Sequence, residues 1–383
     1  MGTTGTTLRH AMAIGTMAGL AAAAPATARD LTYAIGFPTG STPVNALEKV
    51  VTYAQENHGL NIKLFPMSLL DLRQTPQGIA DHMVDMGWAT YQYQPAEFAN
   101  SNLAAAMNML ATADTEAAVA SFAMAGAVSE YVMLHCPECV AEFATQNQVY
   151  LGGHSTGVYI TQCTRPVVEK ADFRGLKVRT AAPSWARWAE AMGATSVTIS
   201  ANEAYDALSQ GVVDCVFFAP TELVNFQLTD VVTDMTTAVP GGVFPGVGDA
   251  NTNIDTWRDM TSEERAGLID TAAYLVAEGT WAYVQASEEA MDIASEAGIE
   301  IHEPSDELLE ASAAFVEEDK PVIIQEFVSK YGVSDAEEKS VVVADLITKW
   351  KDLTADVESA EALHQIYWDE IYSKLDPEAY AMQ

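Results

Sequence analysis

The chain has 383 residues, 49% of them hydrophobic and 19% charged; at roughly 150 residues per domain this is a two-domain length with real cores, not an acidic disordered tail. Its 19 Lys and Arg against 53 Asp and Glu leave a formal net charge of −34, which repels a phosphate backbone and excludes a basic nucleic-acid surface. Four cysteines in a chain this long do not make a disulfide scaffold.

The chain opens on Arg9 and His10, an apolar run from Ala11 to Ala24, Pro25, and then Ala26-Thr27-Ala28. This is the pattern of a secretory leader over residues 1–28, cleaved near Ala28. The run is shorter than the ~20 residues that a membrane anchor needs. No Cys follows it, which argues against a lipid anchor. No later stretch reads as a span, since the longest candidate, Leu103 to Val128, is interrupted by Asn108, Asp114, Thr115 and Glu116. The mature chain is therefore expected to be soluble, exported and in an oxidising compartment.

The mature chain begins with a strand at Leu31 to Gly36 and a Gly/Pro/Ser/Thr loop through Thr42. A helix follows over Pro43 to Glu56, with Val44, Leu47, Val50, Val51 and Ala54 on one face. Asn61 to Phe65 reads as a strand, Thr75 to Met83 as a helix and Met86 to Ala89 as a strand. This alternation predicts α/β layering with a largely parallel sheet, ligands sitting beyond the carboxyl ends of the strands. A second unit starts near Val149: strands at Val149–Leu151, Gly157–Cys163, Gly175–Arg179, Ser196–Ile199 and Val212–Phe218, with helices at Ser184–Met192 and Ala201–Ser209. Val239 to Gly248 holds four glycines and two prolines and reads as a loop or crossover. Gly152-Gly153-His154 and Gly241-Gly242 also read as crossovers between the units. From residue 256 onward, helix formers and acids dominate.

One ordered set of motifs carries a resemblance. Asp172-Phe173-Arg174-Gly175-Leu176-Lys177-Val178-Arg179 is followed by Met192-Gly193-Ala194, Glu203-Ala204-Tyr205-Asp206-Ala207-Leu208 and Gly211-Val212-Val213-Asp214. In order and spacing this resembles the extracytoplasmic substrate-binding proteins of TRAP transporters, the DctP-type family. The opening strand and its loop match too, as do Ile79-Ala80-Asp81 and Val84 to Gly87. The resemblance implies an α/β, two-lobed periplasmic binding protein fold with the ligand cleft between the lobes and long helices toward the C-terminus. One lobe would take 29–153 and the other 154–242, each with part of 243–383. It further implies a monomeric, periplasmic, non-enzymatic protein that closes on a small organic anion and hands it to TRAP membrane permease subunits. No cofactor or metal is expected.

The family's anion anchor maps onto Arg179, and a guanidinium suits that role because its rigid fork grips two oxygens of a carboxylate or sulfonate. Positions that are polar in the family's sugar-acid binders map near Tyr159, Thr90 and Phe218. A pocket with these residues is not built for a polyhydroxylated ligand. Trp88, Tyr91, Tyr93, Trp185, Phe217 and Phe218 are candidates for aromatic walls, with Phe37 on the first loop. Core packing competes for Trp88 and for one of the Phe pair, because adjacent strand residues face opposite ways. The expected ligand is a small monoanion with an apolar or aromatic body. A short sulfonate, or a zwitterion with its cationic end in the aromatic cage, is the rival within the class.

Cys136 and Cys139 form a C-x-x-C pair with three readings: a thiol–disulfide enzyme, part of a Cys₄ metal site, or a local structural disulfide. No strand-to-helix redox pattern precedes the pair, and no second C-x-x-C or His cluster accompanies it. The disulfide is the expectation in an oxidising compartment. Cys163 and Cys215 fall in strands and read as small buried residues. Asp81 with Asp85 and Glu203 with Asp206 read as solvated helix surface, and no nucleophile elbow, P-loop or dinucleotide motif accompanies them.

Overall fold

The computed structural model describes residues 1–5 and 29–382; the apolar run of the expected leader and the cleavage point near Ala28 lie outside the described residues. Strand β1 (Arg29–Ile35) leads into α1 (Thr42–His58), which opens with Pro43 in its first turn and ends at Gly59 in the left-handed conformation (φ 65°), as helix ends favour. Val44, Leu47, Val50 and Ala54 are its buried face. Then come β2 (Leu60–Pro66), α2 (Thr75–Ala80), β3 (Met86–Ala89), α3 (Ala99–Ala106), α4 (Ala117–Glu130), α5 (Pro137–Thr145) and β4 (Gln148–Val149). The second run is β5 (Val158–Cys163), β6 (Lys177–Thr180), α6 (Pro183–Met192), β7 (Thr195–Thr198), α7 (Ala204–Ser209), β8 (Cys215–Phe218), α8 (Thr221–Asn225) and β9 (Asp234–Val243). The chain closes with β10 (Gly248–Asn253), α9 (Ile254–Asp259), the 35-residue α10 (Ser262–Glu296), β11 (Glu300–His302), α11 (Asp306–Tyr331), α12 (Ala336–Thr354) and α13 (Ala360–Glu370).

Two mixed sheets result, ordered β2-β1-β3-β10-β4 and β11-β9-β5-β8-β6-β7. In each, one strand runs against the rest: β10 in the first and β5 in the second. These are the strands entered by the two crossovers, residues 150–157 from β4 to β5 and residues 244–247 from β9 to β10. A chain that leaves one sheet at its carboxyl edge and enters the other from the same side must run backwards there. The carboxyl ends of the remaining strands therefore face the space between the sheets, where ligands sit in such folds. The two crossovers run against each other so closely that a Cβ on Gly153 would stand 1.5 Å from the Val247 carbonyl oxygen.

Three sequence expectations are corrected. Val239 to Gly248 is not all loop: β9 continues to Val243, and only 244–247 cross. The register slips from Ile160 opposite Pro240 to Thr161 opposite Thr236, a bulge that absorbs a proline with no N–H for the ladder. Gly241 and Gly242 thus belong to β9, whereas Gly152 to His154 do lie on a crossover. Second, Ala117–His135 is long and apolar enough to cross a membrane by composition, contrary to the reading that no stretch after the leader is; 78% of its apolar window is buried inside the fold. It packs on α10, α12 and α13, and Gly126 permits this, since a Cβ there would stand 2.3 Å from the Trp350 ring. Third, Cys163 and Cys215 are buried but not merely small residues. They are register neighbours on β5 and β8 and are joined in a disulfide. Cys136 and Cys139 are also joined, at the start of α5, and both are at most 1% exposed, out of reach of a substrate thiol.

Candidate ligand-binding cleft

The cleft is built from the segments that follow the carboxyl ends of the strands. Phe37 comes just after β1, Leu72 after β2, and Thr90 and Tyr93 after β3. Arg179 lies near the end of β6, Ala201 beyond β7, Phe218 at the end of β8, and Glu222 and Phe226 on and after α8. Thr156, Tyr159, Phe244 and Val247 come from the crossovers and the start of β5. Together with Trp88 and, from α10, Tyr283, these residues line one interior cavity.

Arg179 is fully buried. Its Nε donates to the Ile199 carbonyl (3.1 Å), Nη1 to the Phe217 carbonyl (3.5 Å) and Nη2 to the Tyr93 hydroxyl (3.1 Å). Its Cζ sits 4.3 Å from the centroid of the Phe218 ring. A guanidinium carries five N–H donors, and all three acceptors here are neutral. The positive charge thus stands in a water-poor cavity without a contacting carboxylate among the described residues, a situation that an entering anion relieves.

Aromatic rings wall the cavity. Phe37 packs on Trp88 (centroids 5.0 Å apart) and on Phe226 (5.1 Å), Phe226 on Phe218 (5.8 Å), and Phe218 against Tyr159 (6.2 Å). Trp185 stacks behind Tyr159 at 4.2 Å and 13°, with its Nε1 donating to the Gly241 carbonyl. It backs the wall and is not on the lining. Phe217 points to the other face, against Trp188 and Phe173, as strand alternation requires. Tyr91, a candidate lining residue in the sequence, turns away into the first lobe's core and packs on Phe98, Phe143 and Tyr150. The 3₁₀ turn over Tyr91–Tyr93 sends those two rings in different directions, and Tyr93 is the one at the cavity. Arg179, Phe218, Tyr159, Thr90, Trp88 and Phe37 are brought together at one cavity.

Sequence reasoning missed the polar pole of the cavity. Glu222 is 3% exposed, and its Oε2 accepts from Asn225 Nδ2 at 3.0 Å. Burial pushes its carboxyl up to about 7, against the lowering pull of Asn225, Tyr283, Arg179 and His154. The Tyr283 ring stacks on His154 (4.9 Å), whose Nδ1 pairs with the buried Asp249 at 2.6 Å. The local signal for Glu222 was an acid in the otherwise uncharged run Val216 to Gln227; Tyr283 had none, because it arrives from α10, more than sixty positions further along the chain. Elsewhere, pairing of β9 with β11 gathers Asp234, Glu300 and His302, a grouping that linear spacing cannot show; there His302 Nε2 is hydrogen-bonded to Asp234 at 2.8 Å.

Residues 35–329 match the family DctP, described as bacterial extracellular solute-binding protein, family 7, and the chain belongs to that family. A solute-binding protein of Albidiferax ferrireducens is 31% identical over 77 residues, 20% of this chain and 23% of that relative's length. Among solved structures, the chain is similar to a TRAP periplasmic solute-binding protein from Bordetella bronchiseptica with bound mandelate, at 22% identity and TM-score 0.70, covering 84% of this chain and 99% of the other. It is similar to a marine metagenome TRAP solute-binding protein with 3-hydroxybenzoate, at 19% identity and TM-score 0.72, covering 85% and 99%. It is also similar to a TRAP protein of Chromohalobacter salexigens with bound D-glucuronate, at 16% identity and TM-score 0.67, covering 82% and 99%. The architecture is therefore the two-lobed fold of this class, and the family is one of extracytoplasmic solute binders for transport.

Proposed function

We propose that this chain is the periplasmic receptor of a TRAP transporter for a small monocarboxylate with an apolar or aromatic body. In this reading the leader is removed near Ala28, and the receptor works as a monomer, catalyses no reaction and docks on the membrane permease once closed. One lobe comprises 29–153 and the other 154–242, each completed from 243–383; β10 in the first sheet and β11 in the second support that division.

The observation that carries the proposal is Arg179: a wholly buried guanidinium with only neutral partners, opening on a cavity walled by Phe37, Trp88, Tyr159, Phe218 and Phe226. An anion completes the charge, and an apolar body replaces water on the rings at about 25 cal/mol per Å² buried. The mandelate and 3-hydroxybenzoate held by two of the similar structures are of this kind. D-glucuronate in the third is the contrasting case, a ligand whose hydroxyls would find few partners among these rings. A thermal-shift screen of organic acids, followed by calorimetry, tests the reading. A ligand at 100 times its Kd adds about 2.7 kcal/mol, and benzoate-like or short aliphatic acids should rank above uronic and sialic acids. Tight binding of a sugar acid alone would refute it.

A further inference from the structure

Taking the cavity as the ligand site, its second pole restricts the ligand further. Glu222 and Arg179 line the same cavity without an ion pair between them; the Glu222 carboxylate is met by Asn225 Nδ2 and by the Tyr283 hydroxyl, which leaves acceptor positions on its two oxygens unused. On the same lining, Thr90 Oγ1 is buried and lacks a hydrogen-bond partner, and the buried Tyr283 hydroxyl turns to Glu222. Three polar side chains, each at least nine-tenths buried, thus border a space otherwise walled by rings. Buried polar groups in native proteins are paired as a rule, so unused capacity gathered around one cavity points to a partner that enters with the ligand.

We propose that Glu222 is a second recognition group of the site, and that the ligand is a compact monocarboxylate whose far end carries an O–H or N–H donor received by the Glu222 carboxylate. Arg179 takes the ligand carboxylate, the rings take its body, and Thr90 and Tyr283 complete the far end. Once ionised, above about pH 7, the Glu222 carboxylate accepts and does not donate, so a donor at that end is matched. A second carboxylate there would face Glu222 inside a closed, poorly screened space, which selects against dicarboxylates. The groups facing Glu222 across this space are Arg179, His154 and the phenols of Tyr283 and Tyr159, with Asp249 behind His154.

The test uses matched acids with and without the donor: 3-hydroxybenzoate against benzoate, 3-hydroxyphenylacetate against phenylacetate, and 4-hydroxybutyrate against butyrate. Calorimetry on the mature protein at pH 8.5, where Glu222 is ionised, should show at least one hydroxy acid binding tenfold or more tighter than its partner. In Glu222→Gln, which keeps the side-chain shape and the neighbouring Asn225, that ratio should fall to threefold or less while the affinity for the donor-free acid is held or improved. Equal affinities within every pair that binds, or a ratio unchanged in Glu222→Gln, overturns the role of Glu222 and leaves the anion-site reading standing. Failure of all six acids to bind overturns both.

Discussion

Arg179 brings a full charge into a place where each protein partner is neutral, and its replacement separates ligand binding from folding. Arg179→Ala removes the clamp and strands the ligand anion, a loss on the order of 2–5 kcal/mol, so calorimetry should show binding reduced by at least thirtyfold while circular dichroism is retained. Arg179→Lys should recover only part, because an ammonium lacks the fork. Near wild-type affinity in the Ala variant would remove Arg179 from the site. Glu222 yields a prediction on stability. Its folded value, about 7, lies above the 4.5 of a free glutamate, so the folded state holds the extra proton between those limits. Stability is therefore intact below about pH 4.5 and declines as pH rises through 7, by roughly 3 kcal/mol. Glu222→Gln should be more stable than wild type at pH 8 and lose that advantage at pH 4.5, read by chemical denaturation; a pH-independent difference would contradict it. At this scale a local motif pointed to Arg179 and strand alternation said that only one of Phe217 and Phe218 faces the cavity, while the family resemblance, not alternation, selected Phe218; Arg179 and Phe218 both lie at the cavity. The sequence did not disclose Tyr93 over Tyr91, which a 3₁₀ turn decides, nor Glu222 with Tyr283, which only tertiary folding brings together.

At the scale of elements, the two disulfides differ in what they constrain. Cys163–Cys215 ties neighbouring strands β5 and β8 across 52 residues of chain, whereas Cys136–Cys139 spans three. In the chain-entropy account the longer loop restricts the unfolded state by about 4 kcal/mol and the shorter by about half as much. Replacing Cys163 and Cys215 together by Ala should therefore lower the denaturation midpoint clearly more than replacing Cys136 and Cys139. The reverse order in urea titrations would mean that strain or residual structure dominates. The elements themselves were largely legible, since β3 starts and stops at the expected residues and α1 and α6 lie within two residues of expectation. The exception, β9, was hidden because glycines and prolines signal a break in sequence, while a bulge opposite Ile160 and Thr161 keeps the strand paired.

At the scale of the molecule, the lobes meet through contacts that require the cleft to be shut. Asn202, just beyond β7, donates through Nδ2 to the Gly36 carbonyl (2.8 Å) and accepts from the Leu72 backbone N–H (3.2 Å). Asn225 accepts from the Thr42 N–H (3.0 Å), and the Tyr93 hydroxyl bridges Arg179 and the Ala201 N–H. Gly36 lets loops from β1 and β2 sit together beneath Asn202, for a Cβ there would stand 2.3 Å from the Leu72 nitrogen. None of this could be read from sequence, because each bond joins chain segments more than 80 residues apart across a gap whose closure is a property of both lobes. The two Asn202 contacts involve no group assigned to the ligand, so they should act through the closed fraction alone: apparent Kd scales inversely with the population able to close. Asn202→Ala removes both interlobe hydrogen bonds, each contributing roughly 0.5–1.5 kcal/mol net, and should weaken binding about tenfold. Because the change falls on closure and not on recognition, the factor should be the same for benzoate and for 3-hydroxybenzoate, in contrast to Glu222→Gln, which changes their ratio. The melting temperature of the ligand-free protein should hardly move if its resting state is open, and small-angle scattering of the variant should need more ligand to reach the compact form. A loss confined to one ligand would place Asn202 in recognition, and no loss at all would mean that these interlobe bonds do not set the closing equilibrium.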